Sequence, residues 1–466
     1  MEISFHGAAS CVTGSKHIIH LENGKKLLLD CGLFQGMGKK TDELNQHFGF
    51  DPTTIDYMLL SHAHIDHSGL IPKLIKEGYK GKIYCTSATV DLATILLEDS
   101  AEIQRADSKF INKRRAQKGL PLFSPLYSIE DAKNATTHFE KVPYREWFKL
   151  DDNIEAMFTD AGHIIGSASV HLRIGEEKPI CITFSGDVGR YRDAILCSPE
   201  VYPQADYILL ESTYGDELHT PVHNTTDVLL DWIIKTCVEK KGKLIIPAFS
   251  VGRTQELLYY LNQLSNENLL PKLTVYVDSP LSKEATDVVR SHPENFNKTV
   301  KALLETDYDP FDFPGLHFIQ SSEESKRLNT IHDPCIIISA SGMADAGRIK
   351  HHIMNNIDNA SNTILLVGYC EPYSLGGKLG RGDKHVKIFG EFYEVVATVG
   401  KMHSMSAHGD YEDLIKYLDC QQKEKINQIF LVHGEPDTQQ KFKKRLLDKG
   451  FPNVVIPSLH EQIELV

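Results

Sequence analysis

The run Ser61-His62-Ala63-His64-Ile65-Asp66-His67-Ser68-Gly69 holds three histidines and one aspartate between positions 62 and 67. Imidazole and carboxylate are the ligands zinc and its neighbours prefer. The chemistry on offer is therefore activation of water by a bound cation. His62 and His64, two apart, can face one ion; Asp66 and His67, further round the turn, can face another. Asp30, His163, Asp187 and His433 add to the set, in Leu27-Leu28-Leu29-Asp30, Asp160-Ala161-Gly162-His163, Ser185-Gly186-Asp187 and Leu431-Val432-His433. Each follows an apolar, strand-like stretch, and strand ends are where a rigid scaffold presents functional groups. Singly, each reads as an ordinary turn residue; with the 62–67 cluster they complete two metal coordination shells.

The elements that must position these groups are legible in outline. Ile55 to Leu60 reads as a buried strand, and Leu70, Ile71, Leu74 and Ile75 have helical spacing closed by Gly78, so the cluster sits on a strand-to-helix turn. Further strands are expected at Ile3–His6, Lys26–Asp30, Lys82–Cys85, Ile154–Thr159, Ser169–Ile174, Ile180–Ser185 and Tyr207–Glu211. Many short strands with few long helices predict stacked sheets. After Glu211 the pattern changes. Helices at Thr226–Lys240, Gly252–Asn262 and Ser282–Val289 alternate with strands at Lys243–Pro247, Leu273–Val277, Pro334–Ser339 and Thr363–Gly368. That alternation implies a parallel sheet in a separate α/β unit. Gln428–Val432 then returns to the first texture, so an inserted domain fits better than two domains in series.

At 466 residues the chain exceeds what one core usually spans, and 41% hydrophobic with 24% charged residues places it among soluble globular proteins. The start at Met1 has no basic and apolar leader pattern, and no apolar run reaches membrane-spanning length, so no membrane partner is expected. Nine cysteines, odd in number and without a CxxC pair, argue against a disulfide framework and for a reducing, cytoplasmic setting. A net charge of −13 opposes a nucleic-acid partner at first sight, but a metal site supplies its own positive field. One basic run, Lys109 to Lys118 with Lys113, Arg114 and Arg115, is by itself more often a solvated helix face than a binding patch.

Asp30, His62-x-His64-x-Asp66-His67, His163, Asp187 and His433, in this order, resemble the five motifs of the metallo-β-lactamase fold. The resemblance implies an α/β protein, an αβ/βα sandwich of two packed mixed sheets flanked by helices. It implies two zinc ions, one held by His62, His64 and His163, the other by Asp66, His67 and His433, with Asp187 bridging. Asp30 is expected to orient a ligand. Alanine at 63, where the oxygen-reducing diiron members carry a glutamate ligand, favours hydrolysis over redox chemistry. Within that superfamily the chain looks like the β-CASP branch, which processes nucleic acids. Glu211 in Leu210-Glu211-Ser212-Thr213, His408 in Ser406-Ala407-His408-Gly409 and His433 correspond to its motifs A, B and C. The implied organisation is residues 1–216 and 401–466 for the metallo-β-lactamase domain and 217–400 for the inserted β-CASP domain. The resemblance is to the minimal two-domain members, without the extra C-terminal domain of ribonuclease J or the N-terminal KH domains of many archaeal relatives.

Two further stretches, Ile246 to Gln255 and Ile338 to Met343, read as strand, small-residue turn and helix start, a geometry that exposes N–H groups to an anion. Ser250, Arg253, Ser339 and Ser341 are the candidate phosphate contacts, against plain helix capping by serine. The stretch Cys370 to Gly380 departs from the family's Gly-Thr-Leu-Gly pattern. The implied reaction is hydrolysis of single-stranded RNA by a hydroxide shared by two zinc ions, with His408 as general acid, Glu211 supporting it and Asp66 or Asp187 placing the nucleophile. Such attack needs no 2′-hydroxyl, so it does not itself separate RNA from DNA. His17 and His403 lie near the motifs and read as structural. The family also suggests a homodimer. A hydrolase of thioesters or lactones shares the zinc motif but needs neither His408 nor the insert, and a non-catalytic RNA-binding scaffold would have lost metal ligands.

Overall fold

The computed structural model describes every residue except Met37, 220–224, Tyr369, His403, Ser404 and Val466, and every remaining side chain except those of Lys39, Phe110 and Arg114. His403 therefore lies outside the described residues. The chain divides into two compact units, Met1–Tyr191 with Ser198–Leu218 and His408–Val466, and Arg192–Cys197 with His219–Ala407.

The first unit contains two seven-stranded mixed sheets. In one, Gln462–Glu464, Glu2–Gly7, Lys16–His20 and Lys26–Leu29 pair antiparallel, then Tyr57–Leu59, Ile83–Cys85 and Phe139–Lys141 continue in parallel. In the other, Val454–Val455, Gln428–Val432, Tyr207–Glu211 and Ile180–Phe184 run parallel, and Ala168–Ile174, Ile154–Asp160 and Phe148–Asp151 follow antiparallel. Phe5 meets Phe430 at 5.3 Å between ring centroids and His17 meets Phe184 at 5.6 Å, so the sheets pack face to face. Alternation of side chains sends Ile208, Leu210, Ile429 and Leu431 to the opposite face, against Leu414, Tyr417, Phe442 and Leu446 of the helices Tyr411–Tyr417 and Pro436–Asp448. Strand Tyr207–Glu211 is consequently buried along its whole length.

The second unit holds a six-stranded sheet, all parallel, in the order Leu316–Phe318, Thr274–Val277, Cys335–Ser339, Leu244–Pro247, Thr363–Leu366, Thr398–Lys401. Its continuous apolar strands are those of a sheet covered on both faces: Ile245 and Ile364 pack against Ile349, Ile353 and Leu379 from the helices Ile349–Met354 and Leu375–Arg381.

Three expectations are refined. Among the few long helices expected of the first unit is Ser87–Gln117, whose bounds the sequence did not suggest. Its periodicity is weak because Leu92, Ala93, Leu97 and Ala101 are buried in its first half, whereas its second half is polar nearly all round, so no single stripe runs its length. The helix expected from Leu70 to Gly78 starts at Ile71, with Pro72 in its first turn, where the missing N–H costs nothing. The helix expected over Thr226–Lys240 is α-helical only over Thr225–Ile233 and π-helical over Ile234–Glu239. Among the described residues no helix is long and apolar enough to cross a membrane, and all nine cysteines are free.

Candidate metal centre

Parallel pairing of Lys26–Leu29 with Tyr57–Leu59 brings two strand ends together, Asp30 at one and Ser61-His62 at the other. Asp30, buried and in the left-handed region at φ 58°, accepts from the Ser61 N–H at 2.8 Å, the Ser61 hydroxyl at 2.8 Å and His67 Nδ1 at 2.6 Å. The short helix Ile65–Ser68 docks back through backbone bonds from Cys31 to His67 (2.7 Å) and from Ser15 to Asp66 (2.8 Å). That approach requires Gly32, since a Cβ there would lie 1.6 Å from the Asp66 carbonyl oxygen.

The second sheet supplies the rest. His163 sits in the turn between its strands Ile154–Asp160 and Ala168–Ile174, where its N–H is held by the Ser167 hydroxyl at 3.0 Å. Asp187 follows Ile180–Phe184 and Gly186, whose φ of 56° and contact with Ser61 leave no room for a side chain. His433 follows Gln428–Val432 at φ 52°, its N–H donated to the Ala8 carbonyl at 2.7 Å and its Nδ1 against the Thr213 hydroxyl at 2.9 Å.

These side chains converge as two donor sets. His62, His64, His163 and Asp187 form one, and Asp66, His67 and His433 the other. In the first, His62 Nε2 and His163 Nε2 each lie 3.1 Å from His64 Nδ1, and they lie 3.4 and 3.5 Å from Asp187 Oδ2. In the second, His433 Nε2 is 3.4 Å from Asp66 Oδ2. Asp187 reaches this set as well, with Oδ1 3.2 Å from His67 Nε2. Separations near 3.3 Å are the edge of a tetrahedron with bonds of about 2.0–2.1 Å, the zinc–nitrogen length. His67 Nε2 and Asp187 Oδ1 are buried and make no hydrogen bond among the described residues. Orphaned buried polar atoms are costly unless a ligand satisfies them. Nitrogen and carboxylate donors in this arrangement fit a divalent cation.

Electrostatics separates the two sets. Burial pushes His62 down to about 3 and His64 to about 4, and burial together with His408 holds His163 well below its ordinary value. All three are neutral at pH 7, the form that binds metal. His67 goes the other way: burial opposes its charge, but Asp187 and then Asp30 raise it well above the ordinary value. Asp66 and Asp187 stay ionised despite burial, through His433 and His67.

Beside these sets lies a third grouping, Asp187, Glu211 and His408. Glu211 is fully buried at the end of its strand, and its Oε1 accepts from the Val188 N–H at 2.7 Å and from His408 Nδ1 at 3.0 Å. His408 is anchored by an isolated bridge to Gly189 and by the bond from the Gly409 N–H to the Val188 carbonyl (2.7 Å). Its Nε2 comes within 4.0 Å of Asp187 Oδ2. Burial would lower its pKa, but Glu211 and then Asp187 raise it to about 9.

Of the groups the sequence singles out, Asp30, His62, His64, Asp66, His67, His163, Asp187, Glu211, His408 and His433 all meet here. Sequence reasoning missed Ser61 and Thr213, whose hydroxyls fix Asp30 and His433; both stand inside the quoted motif stretches, at or just after a strand end. His17 is fully buried between Phe5 and Phe184, and both its ring nitrogens lack partners among the described residues. The four phosphate candidates belong to the second unit. Ser250 and Ser341 are half-buried at turns, Ser250 beside the Ser279 hydroxyl at 3.3 Å. Ser339 is buried and donates to the Asp278 carbonyl at 2.7 Å, and Arg253 is buried and paired with Glu256. The turn after Ser339 is longer than expected: its helix begins only at Ile349, whose N–H returns to the Ala340 carbonyl. The divergent stretch at 370–380 forms the helix Leu375–Arg381, capped by Ser374.

Comparison with known proteins gives a consistent picture. Residues 17–247 match the Metallo-beta-lactamase superfamily, 254–379 the Beta-Casp domain, and 393–457 the Zn-dependent metallo-hydrolase RNA specificity domain. The chain is 34% identical over 452 residues to a ribonuclease of Thermus thermophilus, covering 97% of both chains. It is 31% identical over 437 residues to an RNase J-like protein of Methanocaldococcus jannaschii, covering 93% of this chain and 92% of that one. A transcription termination factor of Methanococcus maripaludis is 30% identical over 445 residues, 93% of this chain and 66% of the relative.

Proposed function

We propose that this chain, which belongs to the β-CASP branch of the metallo-β-lactamase superfamily and is a metal-dependent RNA-processing nuclease, hydrolyses single-stranded RNA with two zinc ions and with His408 as proton donor to the leaving 3′-oxygen. The observation that carries this reading is the place of His408: an imidazole outside both main donor sets, held by Glu211 and aimed at the carboxylate those sets share.

His62, His64 and His163 would hold one ion and Asp66, His67 and His433 the other, with Asp187 facing both. When bound, the two ions supply a water acidified to near neutrality and positive charge against the non-bridging phosphate oxygens. Asp66 and Asp187, both ionised, orient that water. Glu211 takes His408 Nδ1 and so leaves Nε2 to carry the transferable proton, which passes to the 3′-oxygen as the P–O bond breaks. The products are a 3′-hydroxyl and a 5′-phosphate. Ser250, Arg253, Ser339 and Ser341 remain the candidate phosphate contacts of the second unit's turns, although each already makes a bond within that unit.

The same reading includes a homodimer, which sedimentation velocity tests, and a cytoplasmic setting, supported by the nine free cysteines. A thioesterase or lactonase reading leaves the His408–Glu211 pair without work. The deciding experiment incubates the zinc-loaded protein with end-labelled and circular single-stranded RNA and with a thioester panel. RNA products bearing 5′-phosphates uphold the proposal; thioester turnover with intact RNA overturns it.

A further inference from the structure

The helix Ser87–Gln117 changes character along its length. Up to Ser108 it carries Asp91, Glu98, Asp99, Glu102 and Asp107 against one cation, Arg105, whereas Lys109 to Lys118 holds five lysines and arginines and no acidic residue. In a chain of net charge −13 this is a concentrated local field of the opposite sign. A helix dipole favours cations only in its last turn. That explains Arg115 and Lys118 but not Lys109 and Lys113. Arg115 is already used, donating from Nε to the Pro121 carbonyl. Lys109, Lys113 and Lys118 are exposed and have no ion-pair partner among the described residues. Lys109 and Lys113, four apart, share a face.

The platform beneath them is fixed. The Asn112 side chain accepts from the Phe123 N–H at 2.7 Å and donates to its carbonyl at 2.8 Å, and the Leu126 N–H bonds Gln104 at 3.0 Å. Binding there would demand little further ordering. The other end of the helix abuts the metal centre: the hydroxyls of Thr86 and Thr89 donate to the Gly166 carbonyl at 2.6 and 2.8 Å, three residues past His163. At 1.5 Å per residue, Lys109 to Lys118 lie roughly 33–47 Å from that end. One phosphate cannot serve both places, but one strand can.

We propose that Lys109, Lys113 and Lys118 form a distal docking surface for the backbone of single-stranded RNA, gripping the strand away from the bond being cut. The inference rests on the RNA-nuclease reading above and deepens it. Recognition is of phosphates alone, so it is sequence-independent and salt-dependent.

The test is the triple variant K109Q/K113Q/K118Q of the full-length, metal-loaded protein. It is assayed on an oligouridylate too short to reach from the metal centre to Lys109 and on one long enough to do so. The expected result is an unchanged kcat on both, an unchanged KM on the short RNA and a several-fold higher KM on the long one. The slope of log affinity against log salt for the long RNA falls by about 2, because each phosphate of a single strand that a lysine neutralises is worth roughly 0.7. An unchanged slope and KM overturn the proposal, as does an equally raised KM on the short RNA. If the variant binds RNA as before but no longer holds a protein partner through the exposed Leu120 and Leu122 beside the cations, it is equally overturned. Fluorescence anisotropy of the long RNA separates this inference from the nuclease reading: a changed slope upholds it in a protein that cuts nothing.

Discussion

The two donor sets of the metal centre are built from similar residues but prepared differently. The first is three histidines already neutral, held down by burial. The second contains His67 clamped between two carboxylates that favour its protonated form, and Asp66 held ionised by its histidine neighbours. A cation entering the first set displaces nothing; one entering the second must displace a proton from His67. The difference is that between a preformed site and one that titrates, and only Asp187 belongs to both.

Asp187→Ala strikes the shared element and should have the largest effect. Elemental analysis should find both ions gone, and RNA cleavage should fall by a factor on the order of 10³ or more. Retention of one full equivalent of metal with activity would break the two-set description. His408→Ala should leave metal content and RNA binding intact while lowering kcat about 10²–10⁴-fold, the usual worth of a general acid. Asp30→Asn sharpens the contrast, since Asp30 touches His67 alone among the donors. Affinity for one equivalent of zinc should drop about 10–100-fold while the other stays, as competition with a chelator would show.

The pH predictions follow from the signs of the shifts. Below the raised pKa of His67 each unit of falling pH should weaken the second equivalent about tenfold, whereas the first should titrate flat from about pH 5 to 8. Two parallel pH profiles in calorimetry would overturn the distinction. The smallest effect is expected for Glu211→Gln. His408 must be protonated to act, so activity is lost as pH rises through its pKa near 9. Removing the Glu211 charge should bring that alkaline limb down by about one unit or more.

What could be read from the chain beforehand depended on whether the signal was local. Every candidate donor follows an apolar run or sits in one dense cluster, so hydrophobic pattern and residue type drew attention to each, and the family resemblance sorted them into two sets. Ser61 and Thr213 were invisible because a serine or threonine after a strand is commonplace. Their roles exist only once parallel registers set Leu29 beside Leu59 and Glu211 beside Val432. The left-handed backbone of Asp30 and His433 was hidden for the same reason, being imposed by neighbours distant in sequence. The parallel sheet of the second unit was legible because its strands alternate with helices along the chain, the connection that parallel neighbours require. The helix Ser87–Gln117 was not, because half of it answers to the core and half to solvent.

The discontinuity of the first unit has a consequence for the order of synthesis. His62, His64, His163 and Asp187 have all emerged before Glu211, while His408 and His433 follow Asp187 by more than 200 residues. At 5–20 residues per second the interval is on the order of 10–50 s. For that time a nascent chain carries every residue of one donor set but lacks His433 of the other, His408, and the strand Gln428–Val432 that pairs with Tyr207–Glu211. The two donor sets thus differ in when they can be completed: one is written in the chain before Glu211, the other must wait for the segment that also brings the last strands of both sheets.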